Sequence, residues 1–224
     1  RHRTGDEMMH THRRKVAAAA AAAMLVTLAA GCGSDEQSEP DPAPEAAAPA
    51  VDPAAAPAQV RWQQFQGISL PISQADGPKQ SSVEATGFAH SGQGAVLAAI
   101  NTSVRIAVAP DAQWAQIVKS SVAPGAGRDA FMVNRAQVKI AGGQTQDEFL
   151  PTVRGYTLSD YSPERATFEV ITQYPDGSWL STTESVIWRD GDWKLVVPDP
   201  NGQGTPAKSI SGPPEGMTVL EEKK

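Results

Sequence analysis

The stretch VIWRDGDWKLVVP, residues 186–198, has the alternation and the turn signal of a β-hairpin. Asp190-Gly191 favours a two-residue type I′ turn, in which both residues take a positive φ. With that turn the two strands pair residue by residue: Arg189 with Asp192, Trp188 with Trp193, and Val186 with Leu195. One face of the hairpin is then apolar. We therefore predict that this hairpin belongs to an antiparallel sheet with one face in the core.

Three runs upstream are also rich in β-branched and aromatic residues: VRGYTLSDY (153–161), ATFEVITQY (166–174) and SWLSTTESVIW (178–188). The turn sequences Ser-Pro-Glu-Arg and Pro-Asp-Gly separate them. A three-residue loop with Gly177 in the left-handed conformation pairs Tyr174 with Ser178 and Phe168 with Glu184. A two-residue loop would turn the apolar residues of one strand to the opposite face, so the three-residue loop is the consistent choice. These runs and DWKLVV (192–197) predict a four-stranded antiparallel meander.

The sequence before the strands has helical spacing. SGQGAVLAAINTSVRIAV (91–108) predicts a helix with Ser91 as its N-cap and with Leu97, Ile100 and Val104 on one face. A second helix is expected after Asp111, which is its predicted N-cap. Its apolar stripe is formed by Trp114, Ile117 and Val118. The stretch APGAG (123–127) ends it.

Two shorter segments complete the predicted domain. A third helix or turn is expected over 128–135, and residues 62–73 are expected to be an extended entry segment. The predicted fold class is therefore α+β, with two to three helices packed on a curved four-stranded antiparallel meander.

This arrangement resembles the nuclear transport factor 2-like (cystatin-like) family of α+β cones. The resemblance rests on two helices followed by a meander that ends in a Trp-x-x-Gly-Asp-Trp-Lys-Leu motif, residues 188–195. It implies a cone-like, cystatin-like roll. Residues 70–78 (LPISQADGP) and 87–101 (GFAHSGQGAVLAAIN) are similar to an uncharacterised actinobacterial lipoprotein family that is associated with plasmid and integrative-element genes. Scaffold proteins of conjugation and type IV secretion machines share the cone-like fold, which is an analogy of fold and not of function.

The N-terminal region has the pattern of a secretory signal peptide. A basic cluster at 13–15 precedes fifteen apolar or small residues, 16–30, and this run is shorter than a membrane-spanning helix requires. Ala29-Ala30-Gly31-Cys32 resembles a bacterial lipobox, which implies that Cys32 carries acyl chains such as palmitate. The alternative is an ordinary signal peptide with an incidental cysteine. We predict a signal peptide over 1–31, with translation starting at Met8 or Met9, and a lipid anchor at Cys32.

Composition divides the rest of the chain into three parts. Residues 33–60 contain six acidic residues and six prolines, with no basic or aromatic residue, so 32–60 is predicted to be a lipidated N-terminus and a solvated tether. All five tryptophans lie between Trp62 and Trp193, which predicts one folded domain over 61–200. Residues 201–224 are expected to be a flexible C-terminal tail.

Charge excludes one class of partner. Residues 1–31 hold five of the 19 basic and two of the 25 acidic residues, which leaves 14 basic and 23 acidic residues, a net charge of −9. A domain this acidic, with no basic run, is a poor ligand for nucleic acid, because nucleic-acid affinity depends on neutralising phosphates. Attachment to the membrane would depend on the lipid, since two acyl chains suffice for stable anchoring.

The sequence contains no recognisable catalytic or metal-binding signature. His90 is the one histidine after residue 13, and it precedes a predicted helix, where capping or packing is the more common role. Enzymes with the cone-like fold often use an Asp/His or Asp/Tyr pair for acid–base catalysis. The available residues are Asp111, Tyr156, Asp160 and Tyr161. Asp160 and Tyr161 are predicted to lie at the end of a strand and not in a catalytic pair. Together with the absence of catalytic and metal-binding signatures, this predicts no catalytic residue, no metal site and no cofactor.

Two functions remain as expectations. The first is a lipid-anchored, non-enzymatic domain on the outer face of the cell membrane, facing the cell wall, which presents a protein-binding surface in an envelope, conjugation or secretion assembly. The second is a pocket protein that binds a small apolar ligand, with transformation of that ligand as the less favoured alternative. An interior filled by side chains favours the first, and an open cavity with convergent polar groups favours the second.

Overall fold

The computed structural model describes residues 51–142, 150–202 and 207–220, and these belong to one compact unit. The predicted signal peptide over 1–31, Cys32 and the tether up to residue 50 lie outside the described residues. The helices are α1 (Gly92–Val108), α2 (Trp114–Ser121) and α3 (Ala126–Arg135). The strands are β1 (Val60–Phe65), β2 (Ile68–Ser73), β3 (Gln80–Ser81), β4 (Ala85–Thr86), β5 (Thr152–Ser162), β6 (Arg165–Gln173), β7 (Trp179–Arg189), β8 (Asp192–Val196), β9 (Ala207–Ile210) and β10 (Thr218–Val219).

The fold is α+β, and its main sheet has six antiparallel strands where the sequence predicted four. The order is β10-β5-β6-β7-β8, and β9 pairs with β7 as well. Strand β8 pairs with the C-terminal half of β7, whereas β9 pairs with its N-terminal end. Strands β8 and β9 therefore lie on the same edge of β7, one at each end of it.

The predicted register is confirmed in both hairpins. Trp188 pairs with Trp193, and Phe168 pairs with Glu184. Asp190 and Gly191 have φ values of 54° and 76°, as a type I′ turn requires. In the other hairpin, Gly177 has a φ of 84°, and the Tyr174 amide donates a hydrogen bond to the Ser178 carbonyl over 2.9 Å. The turn residues and the alternation of apolar side chains were therefore sufficient to predict the strand pairing in both hairpins.

Helix α1 packs against the face of the sheet that the parity arguments assigned to the core. Its N-cap is Ser91, as predicted, and the hydroxyl accepts a hydrogen bond from the Gly94 amide. Leu97 and Ile100 of α1 are fully buried, as are Phe168 and Val186 of the sheet. The interior between α1 and the centre of the sheet is therefore filled by side chains.

Residues 62–73 form a hairpin and not an extended entry segment. Strands β1 and β2 pair from Val60↔Ser73 to Phe65↔Ile68 around a two-residue turn. Gln66 and Gly67 both have a positive φ, 51° and 89°, so this is the same turn geometry as in the β7–β8 hairpin. Gln-Gly lacks the Asn or Asp that usually signals such a turn, so this hairpin could not be predicted from the turn residues.

The predicted N-cap of the second helix is wrong. Helix α2 begins at Trp114, and Gln113 stands at the N-cap position without a side-chain hydrogen bond. A turn from Pro110 to Gln113 intervenes, and the Asp111 carboxylate accepts hydrogen bonds from the Arg135 side chain and the Ile140 amide. A long-range ion pair therefore replaces the predicted local cap.

The folded unit extends beyond the predicted boundaries of 61–200 at both ends. The segment predicted as a flexible tail supplies β9 and β10, which pair with β7 and β5, and Leu220 is buried. At the other end, the carbonyls of Asp52 and Ala55 accept hydrogen bonds from the Gln93 side chain. Short strands of two to four residues carry too little periodicity to be predicted from sequence alone.

Candidate functional site

One apolar groove lies between the C-terminal half of α1 and the end of the sheet, and we call it the α1–sheet groove. Its α1 wall consists of Ile100, Ser103, Val104 and Ala107, and its sheet wall consists of Pro151, Val153, Val170, Thr172, Tyr174, Leu180, Thr182 and Glu184. Ile100, Ser103, Val104 and Ala107 follow the i, i+3, i+4, i+7 pattern, so they share one face of α1. The groove has a volume of about 230 Å³.

Glu184 is the one acidic or basic side chain in this lining. It lies on β7 directly opposite Phe168, on the face of the sheet that packs against α1. Burial raises the pKa of the Glu184 carboxyl to about 7, and a hydrogen bond with the Ser103 side chain opposes part of that rise. Within the described ranges Glu184 has no ion-pair partner. A carboxyl in an apolar lining can accept a proton, pair with a cation or donate a hydrogen bond.

A second feature is the outward face of α3, where apolar side chains are exposed. Met132 is 38% exposed, Val133 64% and Val138, just beyond the helix, 51%. We call these three residues the α3 surface. Along the whole of α3, the buried residues are Gly127 and Arg135. Two apolar side chains of α3, and one just beyond its end, are therefore open to solvent.

Helix α3 is fastened at both ends. A Cβ at Gly127 would lie 2.0 Å from the Val197 carbonyl oxygen, so the close approach requires glycine there. At the other end, the buried Arg135 guanidinium donates to the Asp111 carboxylate over 3.1 Å and to the Ala109 carbonyl over 2.7 Å. These contacts fix the position of α3 while they leave the α3 surface uncovered.

His90 packs against aromatic rings, which is the role that the sequence analysis favoured. Its imidazole stacks on Trp188, with 3.9 Å between ring centroids, and meets the edge of Trp193. The Nε2 atom hydrogen bonds to the Pro163 carbonyl. His90 therefore ties the loop before α1 to the β7–β8 hairpin.

The four candidate acid–base residues do not form one site. The Tyr156 hydroxyl donates to the Ala55 carbonyl over 2.9 Å, and burial raises its pKa. Asp111 pairs with Arg135, at the C-terminal end of α3. Asp160 and Tyr161 are neighbours on β5, so their side chains point to opposite faces of the strand. Across the described residues there is also no cluster of three His, Cys, Asp or Glu side chains that could hold a metal ion.

Glu184 was missed as a site residue, although the sequence carried a signal for it. The predicted register placed Glu184 opposite Phe168, and therefore on the apolar face of the sheet. A carboxyl at a position that the strand pattern assigns to the core is a violation of binary patterning, and such violations occur at functional sites. The α3 surface had no comparable signal, because exposure of a short helix depends on long-range packing.

A family model described as "Domain of unknown function (DUF8175)" matches residues 17–214. No curated protein and no solved structure matches the chain. Among the described residues, none of the helices is long and apolar enough to cross a membrane.

Proposed function

We propose that this chain, which belongs to the family of the domain of unknown function DUF8175, is a lipid-anchored extracytoplasmic domain that binds a protein partner. In this proposal Cys32 carries the lipid, the protein works on the outer face of the membrane without catalysing a reaction, and the partner belongs to an envelope, conjugation or secretion assembly. We further propose that the sheet curves around α1 as in the cystatin-like roll.

The α3 surface carries this proposal. Exposed apolar side chains on a helix lose contact with water when a partner covers them, which is favourable by about 25 cal/mol per Å² of apolar surface removed from water. Met132, Val133 and Val138 lie within seven positions of one another, so a single partner surface can cover them. The fastened ends of α3 support the proposal, because a helix held in place loses little conformational entropy on binding.

The proposed tether is shorter than the sequence suggested. Because Asp52 and Ala55 hold the Gln93 side chain, the folded unit includes the chain from residue 51 on. The tether then consists of residues 33–50, which in a polyproline-type conformation would span about 55 Å. The family match covers residues 17–214, so it includes residues 17–30 of the apolar run, Cys32 and this segment. A tether of this reach raises the effective concentration of the domain near a partner in the envelope.

Site-specific photocrosslinking tests the proposal in intact cells. A photoreactive side chain at position 133 should give a discrete crosslink to another protein, and the same group at Val219, which is 50% exposed on β10, serves as the matched control. The double substitution Met132→Ser and Val138→Ser should abolish the crosslink without unfolding the domain. Equal crosslinking from both positions, or none from position 133, would refute a partner at the α3 surface.

The α1–sheet groove favours a second candidate function, binding of a small ligand. Its lining is mostly apolar and contains a carboxyl, which is the composition of small-molecule sites. Its volume of about 230 Å³ lies below the ~300–1,000 Å³ of most such sites, so the ligand would have to be small. This function is compatible with the first, since the groove and the α3 surface share no residue.

A further inference from the structure

We infer that the α1–sheet groove binds a short alkylammonium ion, with the alkyl chain between α1 and the sheet and the ammonium group on the Glu184 carboxylate. This inference rests on the second candidate function and specifies the chemistry of its ligand. Nothing in the family description assigns a ligand to this groove.

The lining determines the alkyl part of the ligand. Ile100 and Val104 on α1 face Val170 and Leu180 on the sheet, so the two walls of the groove are aliphatic. Tyr174 is the one aromatic residue in the lining, and the other apolar residues are aliphatic. Two aliphatic walls complement a flexible alkyl chain. A groove of about 230 Å³ accommodates a short chain and not a lipid tail.

Charge determines the head group. Ser103 approaches Glu184 from α1, and neither β5 nor β6 contributes an acidic or basic side chain to the lining. The other titratable group is the Tyr174 phenol, which is neutral at physiological pH. Among the described residues no cation pairs with an ionised Glu184 carboxylate, and a ligand ammonium group would supply one. An anionic ligand would instead meet a like charge.

Ionisation of Glu184 is coupled to this binding. With its pKa at about 7, the carboxylate fraction rises from about a tenth at pH ~6 to about nine-tenths at pH ~8. An alkylammonium ion stays protonated over this range, because the pKa of a primary amine is about 10. The affinity for an alkylammonium ion should therefore rise about tenfold from pH ~6 to pH ~8.

The experiment is an NMR titration of the full chain, made by cell-free synthesis so that Cys32 is unmodified. The probes are n-hexylammonium, n-hexanol, n-hexanoate and N-acetyl-lysine methylamide. Hexylammonium should shift the amide signals of the second half of α1 and of β6 and β7, with an affinity at least about tenfold higher than that of hexanol at pH ~8. Glu184→Gln should remove this preference and the pH dependence. Ala107→Phe, at the exposed rim of the groove, should reduce binding of every probe.

Each alternative result identifies what has failed. If hexanol binds as tightly as hexylammonium, or hexanoate binds best at pH ~6, the groove is a ligand site but the ammonium inference is wrong. Tighter binding of the lysine derivative would overturn it in favour of a lysine side chain from a partner protein. If no probe shifts the groove signals, both the inference and the second candidate function fail. The Glu184→Gln variant retains the size of the side chain, so unfolding of the variant is not expected.

Discussion

Replacing Glu184 by glutamine should change how the stability of the domain depends on pH. The carboxyl has a raised pKa of about 7, against the ordinary value of 4.5. Between these two values the unfolded chain loses its proton while the folded domain keeps it, so folded-state stability falls as the pH rises through this window. At 1.36 kcal/mol per pKa unit, ionisation of Glu184 lowers the unfolding free energy by at most about 3 kcal/mol. Partial access of water to the carboxyl reduces this loss to about 2 kcal/mol. Glutamine cannot ionise, so the variant should not show this loss.

Urea unfolding at about pH 5, pH 6.5 and pH 8 measures the effect as a difference in unfolding free energy between the two proteins. The variant should be close to the original at pH ~5 and more stable by about 2–3 kcal/mol at pH ~8.

Glu169→Gln is the matched control on the opposite face of the same sheet. Burial raises the pKa of Glu169, but hydrogen bonds from Ser181 and Thr183 outweigh it and the net pKa is lowered. Its substitution should therefore destabilise the domain, and more at high pH than at low pH. Parallel curves for the original protein and Glu184→Gln would refute the burial argument.

Three further predictions concern the hairpin and the anchor. Trp193→Ala should cost about 3–5 kcal/mol of unfolding free energy, because the ring is 1% exposed and its indole N–H donates to the Ala89 carbonyl; a loss below about 1 kcal/mol in chemical unfolding would contradict this. Gly191→Val should cost about 1–3 kcal/mol, because a β-branched residue is strained at a φ of 76°, and an unchanged melting temperature by circular dichroism would count against it. Cys32→Ala should move the protein out of the membrane fraction, and unchanged partitioning with unchanged mass would show that the cysteine is not lipidated.

The strand pairing could be predicted from the sequence because it depends on local rules. A type I′ turn at Asp190-Gly191 and a left-handed Gly177 fix two loop lengths, and each loop length fixes a register. Once the register is set, alternation decides which side chains enter the core. Helix α1 was predictable for the same reason, because its cap and its apolar spacing lie within its own residues.

Most of the features that were not predicted from the sequence depend on distant contacts, and one is a local turn with unusual residues. Asp111 has a side chain suited to an N-cap, but it pairs with Arg135, 24 positions away. The local sequence does not indicate this long-range ion pair. Strands β9 and β10 are short, and they form because β7 and β5 offer unpaired edges to them. The Gln66-Gly67 turn has the geometry of a strong turn signal without its usual residues. For Asp111 and for the two short strands, a partner far along the chain compensates for a weak local preference.

Glu169 on β6 and Glu184 on β7 show that the alternation of side chains along a strand can locate a candidate site in the absence of a sequence motif. Glu169 lies on one face of β6, where Ser181, Thr183 and Lys208 satisfy its carboxylate, so its position needs no ligand to explain it. Glu184 lies on the other face, in an apolar lining with one hydroxyl as its partner. Both have the same local sequence character, a glutamate in a β-branched strand. What distinguishes them is the face to which the register assigns each, and a charge on the core face costs free energy unless something compensates it. A ligand cation is one such compensation. Ligand affinity and the unfolding free energy of the domain would then both depend on whether the Glu184 carboxyl is protonated.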